Sequence, residues 1–393
     1  MKFRSLFSLL LFISLTANVY SQKRLSDESS ISILTCGPGD NISDIYGHTG
    51  IRIKDLSQNL DVVFHYGLYD FNTPGFVMKF LRGKLLYSMG GQKYDGFINN
   101  YTRRKRTVYE QVLNLDQSQK QVFYEALIEN YEPENREYLY DFFFDNCATI
   151  IGDRIETKIG EIQYPTNLPP KTFRNMLDEY QENWPWADFG IDLIIGSIAD
   201  DTTTINEQLF LPLYVHDILQ KSFIDGKPLI TEENLLVDFI AERNQPYKGI
   251  FTPFNLFMVL LFLEILLLGS FFAKWKKGLK AMKIYDNIWF LLLGIGSLIL
   301  VFMWFGTDHI STKSNWNLFW LNPVYLVLLF ALRKSTWSFL RLVLLSALLF
   351  NLLTLVKFPA QFQAIHTASY LLVMITTLKV VRYFLVGREM YGA

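Results

Sequence analysis

The sequence predicts an α+β exported domain followed by an all-α five-helix transmembrane domain, on three observations. The composition splits: residues 22–250 carry charges throughout, whereas 251–393 are dominated by long apolar runs. The chain opens with MKFRSLFSLLLFISLTANVYSQ, in which Lys2 and Arg4 precede an apolar stretch, and Val19 and Ser21 fit the −3 and −1 positions of a cleavage site before Gln22. That pattern reads as a secretory signal peptide over 1–21, with an uncleaved anchor helix as the alternative, though the apolar run is short for a span; no cysteine stands at the site to carry a lipid. Residues 30–165 mix short β-type runs with helix-period segments, an α+β pattern. Net charge is −1, from 37 Lys+Arg against 38 Asp+Glu, so nothing marks a nucleic-acid partner. A soluble half of this size can bury a full core.

In chain order, SISILT (30–35) is a short strand, and the glycine-rich CGPGDNISDIYGHTG that follows is a loop. GHTGIRIKD alternates apolar and polar residues from His48, so it predicts a strand. A polar turn over 55–61 joins it to DVVFHYGLYDF, the paired strand that holds His65. Residues 76–89 mix apolar and basic residues and fit no single element. TRRKRTVYEQVLNLD predicts a strand, with Arg103 to Arg106 as a basic cluster at its start, either a solvated strand end or a contact for anionic lipid. DQSQKQVFYEALIENY predicts a helix over 116–131, capped by Asp116 with Gln119 three residues on. REYLYDFFFDNC predicts an aromatic strand. Ile150, Ile151, Ile155 and Ile159 then recur at helical spacing after Cys147. Further helices are expected over 171–180, over 206–220 with a break at Pro212, and over 235–243.

Five spans follow, over about 254–273, 285–305, 318–332, 337–356 and 362–380. Lys274, Lys276, Lys277, Lys280 and Lys283 follow the first span. Arg333 and Lys334 follow the third, and Lys379, Arg382 and Arg388 follow the fifth. Positive-inside logic places these in the cytoplasm, with residues 22–250 outside and the C-terminus inside. His309 and His366 fall at outer span ends, as interfacial anchors or substrate contacts. Glu264 lies within the first span.

Cys147 is the candidate nucleophile. Aromatic residues lead up to it, Asn146 precedes it and a helix follows, a setting expected to lower a thiol pKa through helical N–H groups and the dipole. A thiol needs a base, and the base needs an orienting group. Of the five histidines, His48 and His65 lie on consecutive strands of one hairpin ahead of the cysteine. No HExxH, GxSxG, P-loop or zinc-spaced cysteine cluster occurs, so no metal or cofactor is expected. Two cysteines in an exported chain also allow a Cys36–Cys147 disulfide.

The order strand-His, strand-His, then Asn-Cys opening a helix resembles the permuted papain-like (NlpC/P60-like) fold of the lecithin retinol acyltransferase and phospholipid acyltransferase group. That resemblance implies His48 as base, His65 as its orienting partner and Cys147 as acyl carrier. The wider layout of TCGPGD, GHTGIRI, HYGLYDF, DNCATIIGDRI, GIDLIIGS and a multi-span half with NWNLFWLNP resembles the Bacteroidetes lipoprotein N-acyltransferase (Lnb) family over nearly the whole chain. It implies transfer of an acyl chain from a phospholipid, through a Cys147 thioester, to the N-terminal amine of a diacylglyceryl-cysteine lipoprotein. The setting would be the bacterial inner membrane, with the catalytic domain in the periplasm. Asn146, Cys36, Asp40, Tyr46 and Tyr66 stand in or beside these motifs as substrate-binding or supporting residues. On this reading 22–165 is the thiol domain, 166–250 a mostly helical extension and 251–393 the membrane domain. A cell-wall amidase or peptidase, a lipid hydrolase, and a non-catalytic disulfide-bonded scaffold are the other readings the residues permit.

Overall fold

The computed structural model describes residues 24–243, 247–272, 276–334 and 336–386. The expected leader over 1–21 lies outside these residues, as do Lys274 and Arg388. The N-terminal half is built on β1 (Ser30–Cys36), β2 (His48–Asp55), β3 (Leu60–Leu68), β4 (Leu86–Lys93), β5 (Val108–Leu113) and β6 (Glu137–Leu139). A small ribbon, β7 (Phe223–Ile224) with β8 (Lys227–Pro228), leads into β9 (Ile230–Val237). Seven strands form one sheet in the order β6-β4-β3-β2-β1-β5-β9, every pair antiparallel.

Alternation along the strands fixes two buried faces. Ile31, Ile33, Ile51 and Ile53 point to one, each at most 1% exposed. They pack with Phe123 and Leu127 of α3 (Gln117–Tyr131) and with Ile151 and Ile155 of α4 (Thr149–Lys158). Burying such a side chain stabilises the fold by about 1.5–3 kcal/mol, so a one-residue slip, which would take all four out of this core and force them into the other, is strongly disfavoured. Leu34, Cys36 and Val63 point to the other face, against Phe97 and Tyr101. Those two rings come from α2 (Tyr94–Arg103), which follows α1 (Phe76–Leu81). The expected cap of α3 is present: Asp116 Oδ1 accepts from Gln119 N at 2.8 Å, and Gln119 Oε1 accepts from Asp116 N at 3.0 Å.

Several expectations need correction. The aromatic strand ends at Leu139, and DFFFDN is instead a tight turn in which Asp141 Oδ1 accepts from the N–H groups of Phe143 and Phe144. A carboxylate two and three residues behind those donors offers them a local partner, which outcompetes a ladder. The helix expected over 235–243 is only partly formed: residues 235–237 end β9, which pairs with β5 and completes the sheet, and α9 (Ile240–Arg243) is helical. Residues 76–89 resolve into α1 and the start of β4. Before α9 come α5 (Phe173–Gln181), α6 (Pro185–Ile194), α7 (Ile205–Gln208) and α8 (Pro212–Leu219). Pro212 starts α8 at its first position, where its missing N–H is no loss.

The C-terminal half consists of α10 (Pro253–Phe272), α11 (Lys276–Phe305), α12 (Val324–Lys334), α13 (Trp337–Leu355) and α14 (Thr367–Val386). Met282–Phe305 and Trp337–Leu355 are each long and apolar enough to cross a membrane. Ile310–Phe319 and Val324–Arg333 make a third crossing if the pair, bent by 42°, is one span; Pro253–Gly269 is a shorter apolar helix. Lys379 and Arg382, expected in a cytoplasmic tail, lie within α14 and are wholly buried. Lys379 Nζ bonds Glu264 at 2.6 Å and Asp286 at 2.8 Å, and Arg382 bonds both acids at 2.5 Å. Glu264 therefore belongs to a charge quartet that ties α10, α11 and α14, a pairing that buried charges require.

The two halves are pinned by backbone caps. Asn315 Nδ2 donates to Leu193 O at 2.9 Å and Ile194 O at 2.8 Å, and Asn317 Nδ2 to Asp192 O at 2.9 Å. These carbonyls end α6 and have no partner within it. Gln363 Nε2 adds Ile195 O at 3.0 Å. The NWN and GIDLIIGS motifs thus dock on one another.

Candidate functional site

His48 is the first residue of β2 and His65 the sixth of β3. His48 Nε2 and His65 Nδ1 are 3.1 Å apart, and the rings meet edge to face at 5.2 Å. With Nε2 engaged, Nδ1 is the nitrogen of His48 left for proton transfer. A glycine flanks each histidine. Gly47 has φ +87°, and a Cβ there would lie 2.5 Å from Cys36 O, so only glycine fits. Gly67, also at φ +87°, sits where the β3–β4 register shifts between His65 and Leu68.

Cys147 reaches this end of the sheet from the other face. Thr49 Oγ1 donates to Cys147 O, and a Cβ on Gly67 would lie 4.0 Å from Cys147 Cβ. Among the described residues no hydrogen bond joins Cys147 to His48. Catalytic contacts often tighten only when substrate is bound. Asn146, 3% exposed, fixes the turn before the helix. Its Oδ1 accepts from the N–H groups of Ala148 at 2.7 Å and Thr149 at 3.1 Å, and its Nδ2 donates to Phe142 O and Phe210 O. The side chain is thus a cap that sets where Cys147 stands.

That cap changes the electrostatics expected from the sequence. The first helical N–H groups are taken by Asn146, and burial pushes the Cys147 thiol up. The N–H and hydroxyl of Thr49 and the N–H of Cys147 itself pull it back only in part. Burial, His65, Arg106 and Arg104 together hold His48 well below its ordinary value of 6.5. Burial holds His65 at about 4. Both rings are therefore neutral near pH 7. With thiol and imidazoles all neutral, thiol chemistry at this end of the sheet would call for general-base attack rather than a standing ion pair.

Cys36 is the register partner of His48 across β1 and β2, so the two side chains share a face. It is 0% exposed, and burial pushes its thiol up to about 12. Both cysteines are free, and only Cys147 is partly exposed. Accessibility thus sets the two thiols apart.

Arg106 is the residue the sequence concealed. The basic cluster suggested a solvated end or a lipid contact, but Arg106 is 1% exposed. Its Nη1 meets Asp44 Oδ1 at 3.2 Å and its Nε donates to Gly37 O at 2.8 Å, while Arg104 also pairs with Asp44. Its charge opposes protonation of His48 and favours the thiolate of Cys147. The buried acid that demands it, Asp44, lies too far off in sequence to be read as its partner.

The other candidates fall elsewhere. Tyr66 donates to Asn130 Oδ1 at 2.7 Å and is buried in the core. The Tyr46 hydroxyl accepts from Gln181 Nε2 at 2.5 Å, and its ring packs on Phe142 at 5.3 Å. Asp40 is exposed and lines a cavity of about 830 Å³ with Lys171, Tyr180 and Tyr214, a wall that includes none of Cys147, His48 or His65. His309 Nε2 lies 3.0 Å from Phe80 O, and His366 Nε2 lies 3.2 Å from Asp188 Oδ2. Each joins the membrane half to the sheet half.

Residues 17–179 match the family model described as the Lnb N-terminal periplasmic domain. Residues 245–389 match that of the Lnb transmembrane domain. No curated protein and no solved structure matches the chain.

Proposed function

The chain belongs to the Lnb family, and from that premise we propose that it is a papain-like thiol acyltransferase that N-acylates lipoproteins at the bacterial inner membrane. Family membership makes it a membrane protein with a periplasmic N-terminal domain. The observation that carries the mechanism is Cys147, the accessible one of two free thiols, held by the Asn146 cap at the sheet end where His48 and His65 pair. In the first half-reaction His48 Nδ1 takes the thiol proton as Sγ bonds the ester carbonyl carbon of a phospholipid. The tetrahedral intermediate collapses, the ester C–O bond breaks, and the imidazolium returns its proton to the lysophospholipid oxygen. The N–H groups of Cys147 and Thr49, which face the sulfur, are the donors at hand for the oxyanion.

In the second half-reaction the α-amine of a diacylglyceryl-cysteine lipoprotein attacks the thioester. A C–N bond forms, the C–S bond breaks, and His48 passes the amine proton to the departing thiolate. A thioester suits this relay because it keeps the acyl group reactive between two acceptors. Membrane helices, five of them on the sequence reading, would hold both lipid-borne substrates in the plane of the site, with the C-terminus in the cytoplasm.

The test is to incubate the full chain in phospholipid nanodiscs without an acceptor and weigh it intact. One acyl group on Cys147, released by neutral hydroxylamine, is expected. A chain that stays unmodified, or one acylated elsewhere, refutes the thioester route.

A further inference from the structure

The segment between β3 and β4 presents a large apolar surface that no other described residue covers. Phe71 is 73% exposed and Val77 67%, and Met78 and Phe80 are also exposed. A patch of this kind on a folded domain marks a contact with something apolar. Its position says what that is. Asp308 N donates to Arg82 O at 2.9 Å, and His309 Nε2 lies 3.0 Å from Phe80 O. Residues 308 and 309 directly follow the apolar stretch Met282–Phe305 of α11, so α1 sits at the level where that helix leaves the bilayer. Lys79, Arg82 and Lys84 accompany the aromatic residues. Apolar rings with long cations beside them are the composition of an interfacial membrane element.

The patch is also connected to the thiol. Phe71 and Phe76 pack at 5.0 Å and Tyr69 lies on Phe71 at 5.1 Å. Tyr69 meets Tyr87 at 5.4 Å, and Tyr87 stacks on Tyr140 at 4.6 Å. Tyr140 Cε2 and Cys147 Cβ each lie 4.0 Å from the Cβ position of Gly67. An aromatic track therefore runs from the exposed patch to the nucleophile.

We infer that Leu68–Leu81 is inserted in the membrane interface and guides one acyl chain of a glycerophospholipid along Tyr69, Tyr87 and Tyr140 to Cys147. The insertion stands on the exposed surface alone, whereas the delivery role rests on the acyl-transfer reading above.

The experiment uses the full chain in nanodiscs of phosphatidylethanolamine and phosphatidylglycerol. A nitroxide is placed at Val77→Cys in a Cys147→Ser background, with Val122→Cys on α3 as the solvent reference. Collisions with oxygen and with a water-soluble nickel chelate are compared. The oxygen-to-chelate ratio at 77 should exceed that at 122 by about threefold or more; equal ratios overturn the insertion. Separately, Val77→Asp/Phe80→Asp should slow acyl loading of Cys147 from the same lipids about tenfold or more, and unchanged loading overturns the delivery role. A wild-type chain that never loads Cys147 would sink the acyl-transfer reading, while the nitroxide ratio still decides insertion.

Discussion

Neutrality is the governing property of the three central side chains. His48 and His65 are held below the ordinary imidazole range, and the Cys147 thiol is held above its own. A base must be unprotonated to act, so activity is lost as pH falls through the pKa of His48. Because that pKa is lowered, the acid limb of kcat/KM for acyl loading should lie below about pH 6, with a plateau from there to about pH 8. A limb centred at or above the ordinary imidazole value would mean that His48 is not the base. The sequence placed Cys147, His48 and His65 in the right elements because each sits beside a legible signal, a helix start or an alternating strand. It misjudged the thiol. A helix start predicts a lowered pKa only if its N–H groups are free, and Asn146 occupies those of Ala148 and Thr149. Arg106 was hidden because the partner that keeps it buried, Asp44, comes from a distant loop.

Strands with strict alternation, and a helix with a capping box, were legible because local pattern and burial agree. The failures are elements that tertiary contacts decide. β9 reads as ITEENLLV, without a clean alternation, and becomes a strand because β5 offers it an open edge. DFFFDN has strand-forming rings, but Asp141 folds it back on itself. In the membrane half, Lys379 and Arg382 resembled a cytoplasmic tail because charge normally ends a span. Here Glu264 and Asp286 neutralise them within α14. Lys379→Met should lower stability by about 3–5 kcal/mol, since it leaves acidic groups buried without full compensation. Replacing all four charges by Leu or Met should recover most of that loss. Thermal unfolding in detergent reads both, and a harmless single variant would show that the quartet does not bind the helices together.

At the scale of the whole molecule, the exported and membrane halves were each legible from composition, but their mutual fit was not. Asn317 reaches Asp192 across 125 residues, and no local pattern announces that the amides of one motif will cap the helix end of another. This docking, reinforced by Gln363 and by the His366–Asp188 contact, ties the sheet half to the membrane half. On the proposed reading, a thiol domain tied to membrane helices suits substrates that stay in the bilayer, which favours lipid-to-lipoprotein transfer over cell-wall hydrolysis. The most direct check is mass spectrometry of lipoprotein N-termini in cells whose only N-acyltransferase is this chain or a variant of it. Wild type and Cys36→Ala should give triacylated termini. Cys147→Ala should give none and His48→Ala nearly none, whereas His65→Ala should retain a fraction. Full N-acylation by Cys147→Ala would contradict the account at its centre.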